Sequence, residues 1–85
     1  MFQYVYVLLS KKDNKFYTGY SANLRLRFEQ HISGKSIATR DRRPLALIYY
    51  EACKSKKDAQ RRERYFKTYL GKQFLHKRLK SYLTG

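Results

Sequence analysis

Gln3 to Ser10 reads QYVYVLLS, a strand that is apolar on both faces. In extended chain, successive side chains point to opposite sides. Tyr4, Tyr6 and Leu8 therefore share one face, and Val5, Val7 and Leu9 the other. Such a run of β-branched and aromatic residues belongs at the centre of a sheet, covered on both sides. That requirement constrains the rest of the 85-residue chain, which must supply both the neighbouring strands and the covering layers.

The flanking segments answer it. KKDNK (Lys11 to Lys15) carries turn residues in Asp13 and Asn14. FYTGYS (Phe16 to Ser21) then reads as the second strand of a hairpin, and LALIYYEAC (Leu45 to Cys53) as a third strand, again apolar on both faces. Ser21 or Asn23 can cap a helix between them. Leu24, Phe28 and Ile32 form its buried stripe, with Arg27 and His31 at the stripe's edge and Gly34 at its end. Lys35 to Pro44 is a basic loop without a period. Ser55 and Asp58 make a capping box for a helix that places Ala59, Glu63, Phe66 and Leu70 on one face. Gly71 interrupts the pattern, and Lys72 to Leu83 gives a last helix with Leu75, Leu79 and Tyr82 inward. The order ββαβαα predicts an α+β fold. Residues 1–85 form a single domain, with a small, mostly antiparallel three-stranded sheet flanked by helices.

Charge narrows the function. Twenty Lys and Arg face six Asp and Glu, a formal net charge of +14. Self-repulsion of that size opposes a compact state, and a polyanionic partner relieves it. Nucleic acid is the natural one. Lys35, Arg40, Arg42 and Arg43 in the loop, and Lys72 and Lys77 in the last helix, are candidate phosphate contacts. No apolar run approaches the ~20 residues that span a bilayer, and the start MFQYVYVLLS lacks a basic leader. Cys53 stands alone, which excludes an internal disulfide and a Cys-based metal site. A cytoplasmic protein without membrane association or a small-molecule cofactor is expected.

Glu63 is out of place, an acid on an apolar helix stripe in a basic chain. Burying an unpaired carboxylate costs several kcal/mol, so a cation should meet it. That cation is either Arg27 or another basic side chain, or else Mg²⁺ or Mn²⁺, hard ions that take carboxylate oxygen and keep several waters. Arg27 is open in the same way, as a clamp on a carboxylate or as a bidentate phosphate ligand. His31 alone is consistent with a hydrogen-bonded neighbour of the core. The nine tyrosines fit amphipathic packing or stacking on bases.

Together these residues make a more specific pattern. YVY (Tyr4, Val5, Tyr6) stands on the first strand, YTG (Tyr17, Thr18, Gly19) on the second, NLRLRFEQH follows, and a single Glu63 comes from a later helix. In this order the chain resembles the GIY-YIG nuclease superfamily, in particular its minimal, stand-alone bacterial branch, from Tyr4 to Leu83. The resemblance implies that Arg27 is the catalytic arginine, His31 its partner histidine and Glu63 the ligand of a divalent cation, Mg²⁺ or Mn²⁺. Tyr6 or Tyr17 would orient or deprotonate the attacking water, and Gly19 would permit close approach. It also implies metal-dependent endonucleolytic hydrolysis of DNA, selective for structure rather than base sequence, in DNA repair or recombination. Two positions depart from the pattern. Tyr4 stands where the name-giving motif has Gly, and the late Asn of many members is missing, since the only asparagines are Asn14 and Asn23. These departures keep open a non-catalytic nucleic-acid-binding module on the same fold. Size and charge alone also permit a small basic ribonuclease.

Overall fold

A computed structural model describes residues 1–85. The elements are β1 (Gln3–Ser10), β2 (Phe16–Ser21), α1 (Leu24–Ile32), a 3-10 turn (Arg40–Arg42), β3 (Leu45–Cys53), α2 (Lys56–Phe66), α3 (Tyr69–Arg78) and α4 (Lys80–Thr84). The sheet order is β2-β1-β3, so the doubly apolar strand is indeed central. Both pairings are antiparallel. The α+β fold is as expected, with one more helix at its end.

The register divides the core in two. Tyr6 faces Gly19 on β2 and Tyr50 on β3, and Leu8 faces Tyr17 and Leu47. On that side Tyr6, Leu8 and Leu45 form a buried cluster against Leu24 and Phe28 of α1. On the other side Val5 and Val7 pack with Ala59, Phe66 and Leu75 of α2 and α3. Arg62 ties the second layer down. Its Nε donates to Glu51 Oε1 of β3 at 2.8 Å, and its guanidinium lies 4.7 Å above the Phe66 ring.

Local chemistry explains the boundaries. Asn14 takes the left-handed conformation of the hairpin turn (φ 60°), and Lys15 N–H donates to Asp13 Oδ1. Asn23, rather than Ser21, caps α1 by accepting from Leu26 N–H at 3.1 Å; Ser21 instead holds the Asn23 backbone. Gly34, with φ 83°, lies just past the end of α1. Ser55 caps α2 through Asp58 N–H, as its spacing predicts.

Three helix expectations require correction. The stripe of α1 turns: Leu24 and Phe28 are half-buried, Ile32 is half-exposed, and the fully buried residue is His31. A helix packed against an aromatic strand can bury a histidine when both ring nitrogens find partners, as they do here. Second, α2 stops at Phe66, so Leu70 is not on its stripe; it lies exposed on α3. Third, the last helix starts at Tyr69, capped by Thr68, and breaks at Leu79 (φ −108°, ψ 21°) before α4. Gly71 therefore sits inside α3 rather than interrupting it, and Tyr82 is half-exposed. A Cβ at Gly71 would run into the Tyr65 carbonyl, so the glycine sets how closely α3 approaches α2. Leu75 is buried as expected.

Candidate active site

The β2–α1 junction gathers most of the site. Tyr6 lies across the bare backbone of Gly19, where any side chain would displace its phenol. Its Oη is 2.8 Å from His31 Nε2. Tyr17 presents its ring edge-on to the same imidazole, with centroids 5.2 Å apart. The other ring nitrogen, Nδ1, is 2.7 Å from Thr39 Oγ1. Arg27, one helical turn before His31, donates through Nη1 to Gln30 Oε1 (2.9 Å) and through Nη2 to Ser36 Oγ (3.3 Å). That leaves the guanidinium without a carboxylate partner.

Electrostatics follow from this packing. Burial pushes the Tyr6 phenol up to about 12, with Tyr17 and Glu63 adding to the rise and Arg27 opposing it. Burial, then the Arg27 charge, lowers His31 to about 4, so its ring is neutral at neutral pH. Glu63 stands on α2, on the opposite layer, near enough for its charge to add to the rise at Tyr6. Its cation is Lys67, whose Nζ lies 3.2 Å from Oε2 and is largely exposed. It does not pair with Arg27. No group of three His, Cys, Asp or Glu side chains converges anywhere. The donor set fits an ion that takes one protein carboxylate and completes its shell with water and phosphate, as Mg²⁺ does.

The candidate phosphate contacts separate. Lys35, Arg40 and Arg43 are exposed on the loop, although Arg40 Nε also donates to Gly34 O and Arg43 Nε to Arg40 O. Arg42 is committed elsewhere. It pairs with Asp13 at 2.9 Å and donates to the carbonyls of Lys15 and Phe16. It therefore fastens the loop to the β1–β2 hairpin. Lys72 lines a groove with Lys15, Arg42 and His76, a groove that Lys77 does not join. Tyr4 and Val5, the other motif residues, stand on β1, with Tyr4 edge-on to Tyr50 and Val5 in the second core. Ser36 and Thr39 are the residues that sequence reasoning missed. Both are buried within a loop whose only visible signals were its charge and lack of period.

A three-stranded antiparallel sheet with its motif tyrosines on β1 and β2, and an arginine and histidine on the next helix, defines a GIY-YIG catalytic domain. The family of that description matches residues 2–79, and the chain belongs to it, a family of nucleases. Its relatives are UPF0213 proteins. That of Staphylococcus haemolyticus is 44% identical over 73 residues, covering 85% of this chain and 88% of its own. That of Clostridium perfringens is 43% identical over 65 residues, covering 75% and 69%. The solution structure of the UPF0213 protein BH0048 from Bacillus halodurans superposes with a TM-score of 0.56 at 38% identity, covering 88% of this chain and 82% of that one.

Proposed function

We propose that this protein is a divalent-metal-dependent endonuclease that hydrolyses DNA phosphodiester bonds, choosing substrates by DNA structure. The observation that carries the reading is the cluster of a buried Tyr6 and His31 with a half-exposed Tyr17 and an Arg27 that has no carboxylate partner, on a chain of formal charge +14. Arg27 binds the scissile phosphate and shares the charge that develops on it. With a pKa near 12, Tyr6 is protonated at neutral pH, so it begins by orienting the attacking water through its hydroxyl. Tyr17 borders the same space. Glu63 would hold Mg²⁺ or Mn²⁺, which when bound supplies Lewis-acid stabilisation of the phosphoryl and leaving oxygens. Lys35, Arg40, Arg43, Lys72 and Lys77 hold the backbone of the substrate. So small a surface leaves little to read base edges, which favours structured DNA and a setting in repair or recombination. No helix is long and apolar enough to cross a membrane, and we place the protein in the cytoplasm, acting as one domain.

The test is a panel of flapped, branched, nicked and supercoiled DNA with Mg²⁺, Mn²⁺ or chelator. Metal-dependent nicking of a structured substrate is expected, and the absence of cleavage across the panel would overturn the reading. A second reading, a non-catalytic binding module, draws on the missing late Asn and on the Lys67 partner already at Glu63. It requires DNA binding indifferent to chelator and no turnover.

A further inference from the structure

Thr39 is completely buried, and its hydroxyl makes one hydrogen bond, with Nδ1 of His31 at 2.7 Å. It stands at the N-cap of the 3-10 turn, where a threonine hydroxyl would ordinarily accept from the turn's own backbone. It makes no such bond. The side chain has been diverted from capping to the imidazole. On the far side of the ring, Nε2 is 2.8 Å from Tyr6 Oη.

A neutral imidazole has one N–H and one lone pair, so the Thr39–His31–Tyr6 chain can run in two directions. Either direction leaves one hydroxyl hydrogen over. If Nδ1–H donates to Thr39, the spare hydrogen is on Thr39, sealed behind the ring with no acceptor, and a buried donor without a partner bears its full desolvation cost. If the Thr39 hydroxyl donates to Nδ1, the spare hydrogen is on Tyr6, which is also buried but has the half-exposed Tyr17 beside it, a phenol oxygen that can accept where Thr39 has nothing. The second direction is the favourable one.

We propose that Thr39 is a positioning residue: its hydroxyl donates to His31 Nδ1, holds the imidazole as the Nε2–H tautomer, and makes the ring a hydrogen-bond donor to Tyr6 Oη. His31 then does not take the Tyr6 proton. It steadies the phenol oxygen alongside Arg27 and leaves the Tyr6 O–H facing substrate. The geometry stands on its own; the consequence for turnover rests on the nuclease reading.

The parent protein, labelled with ¹⁵N and without DNA, reads the tautomer directly. Long-range ¹H–¹⁵N correlations of His31, assigned by comparison with His31→Gln, should show a protonated Nε2 and an unprotonated Nδ1 at neutral pH; a protonated Nδ1 overturns the proposal. The structured DNA cleaved by the parent then probes the role. Thr39→Val should lower kcat about tenfold, the worth of one lost hydrogen bond, with KM unchanged. Thr39→Ser, which keeps the hydroxyl, should turn over near the parent rate. A Thr39→Val protein with parental kcat, a loss confined to KM, or a Thr39→Ser protein as impaired as Thr39→Val each overturns it. If the parent cleaves no DNA, the nuclease reading fails while the His31 spectrum still decides the tautomer.

Discussion

Tyr6 and Gly19 face each other across β1 and β2, and the phenol of Tyr6 fills the space that a side chain at position 19 would need. The glycine thus serves the site rather than the turn that follows it. It lets a bulky ring lie flat on the strand and bring its oxygen to His31.

Gly19→Ala should therefore push the ring aside and break the Tyr6–His31 contact. Misplacing a reacting group by about 1 Å can cost a hundredfold in rate, and overpacking of this kind costs about 1–3 kcal/mol. Cleavage and thermal unfolding on one sample check both. Parental cleavage by this variant would show that Tyr6 tolerates displacement.

Gly71 offers the contrasting case. A methyl group there meets the backbone carbonyl of Tyr65, which cannot swing away as a side chain can. Gly71→Ala should move α3 off α2 and destabilise by about 1–3 kcal/mol, a drop of several degrees in Tm for a domain this size. At saturating DNA the rate of the folded fraction should hold, because α3 carries the backbone contacts Lys72 and Lys77 but none of the Tyr6–His31–Thr39 chain.

Much of this arrangement could be read in the residues. The two apolar faces of Gln3–Ser10 required a central strand, and the β2-β1-β3 order meets that requirement. The spacing of Arg27 and His31 placed both one turn apart beside a core face. His31 fully buried could not be read, because its burial depends on Tyr6 and on Thr39, one of them from a loop with no period. Arg42 could not be told from Arg40 and Arg43 by sequence, since only the hairpin's return brings Asp13 to it. Leu70 misled because a 3.6-residue stripe continues through a helix boundary as easily as within a helix, and only the Thr68 cap starts α3 afresh.

Stability should fall in two steps on acidification. His31 is depressed to about 4 from 6.5, so between those values the unfolded chain binds a proton that the folded one refuses, and stability declines as pH falls through that window. Asp13 is held down to about 2, chiefly by its hydrogen bond from Arg42. Its contribution is complete above its ordinary 3.8 and is lost as pH falls through about 2. Glu51 adds to the lower step: burial raises it, but the hydrogen bonds from Arg62 and Tyr49 outweigh that and lower it. Melting curves from about pH 8 to about pH 2 should show both steps. Asp13→Asn should flatten only the lower and His31→Gln only the upper; a parent Tm level through the upper window would contradict a buried neutral imidazole.

DNA binding should weaken steeply with salt. If about five phosphates are contacted, log affinity falls against log salt with a slope near −4 to −5. Because Arg42 fastens the hairpin, the informative variant is Arg40→Ala with Arg43→Ala. It should reduce the slope by about 2 and keep the parent Tm, whereas adding Arg42→Ala should lower Tm as well. An unchanged slope in the double variant would place the phosphate contacts elsewhere.

Glu63→Gln separates chemistry from packing. The carboxylate pairs with an exposed lysine, Lys67, four residues on, and pairs of that kind contribute about 0.3–0.5 kcal/mol. It is not half of a buried pair with Arg27, so its loss strands no buried charge. Gln keeps the shape, and Tm should fall by no more than about 1–4 °C, the shift that so small a free energy produces. A hard cation, however, would lose its one protein carboxylate. Cleavage should fall by orders of magnitude, while affinity for uncleaved DNA holds or rises as a negative charge leaves the phosphate path. Nicking, binding and unfolding measured on the same preparation give the answer. A folded variant that nicks at the parent rate removes Glu63 from the metal site; a variant that unfolds far below the parent assigns Glu63 a packing role that its exposed partner does not explain.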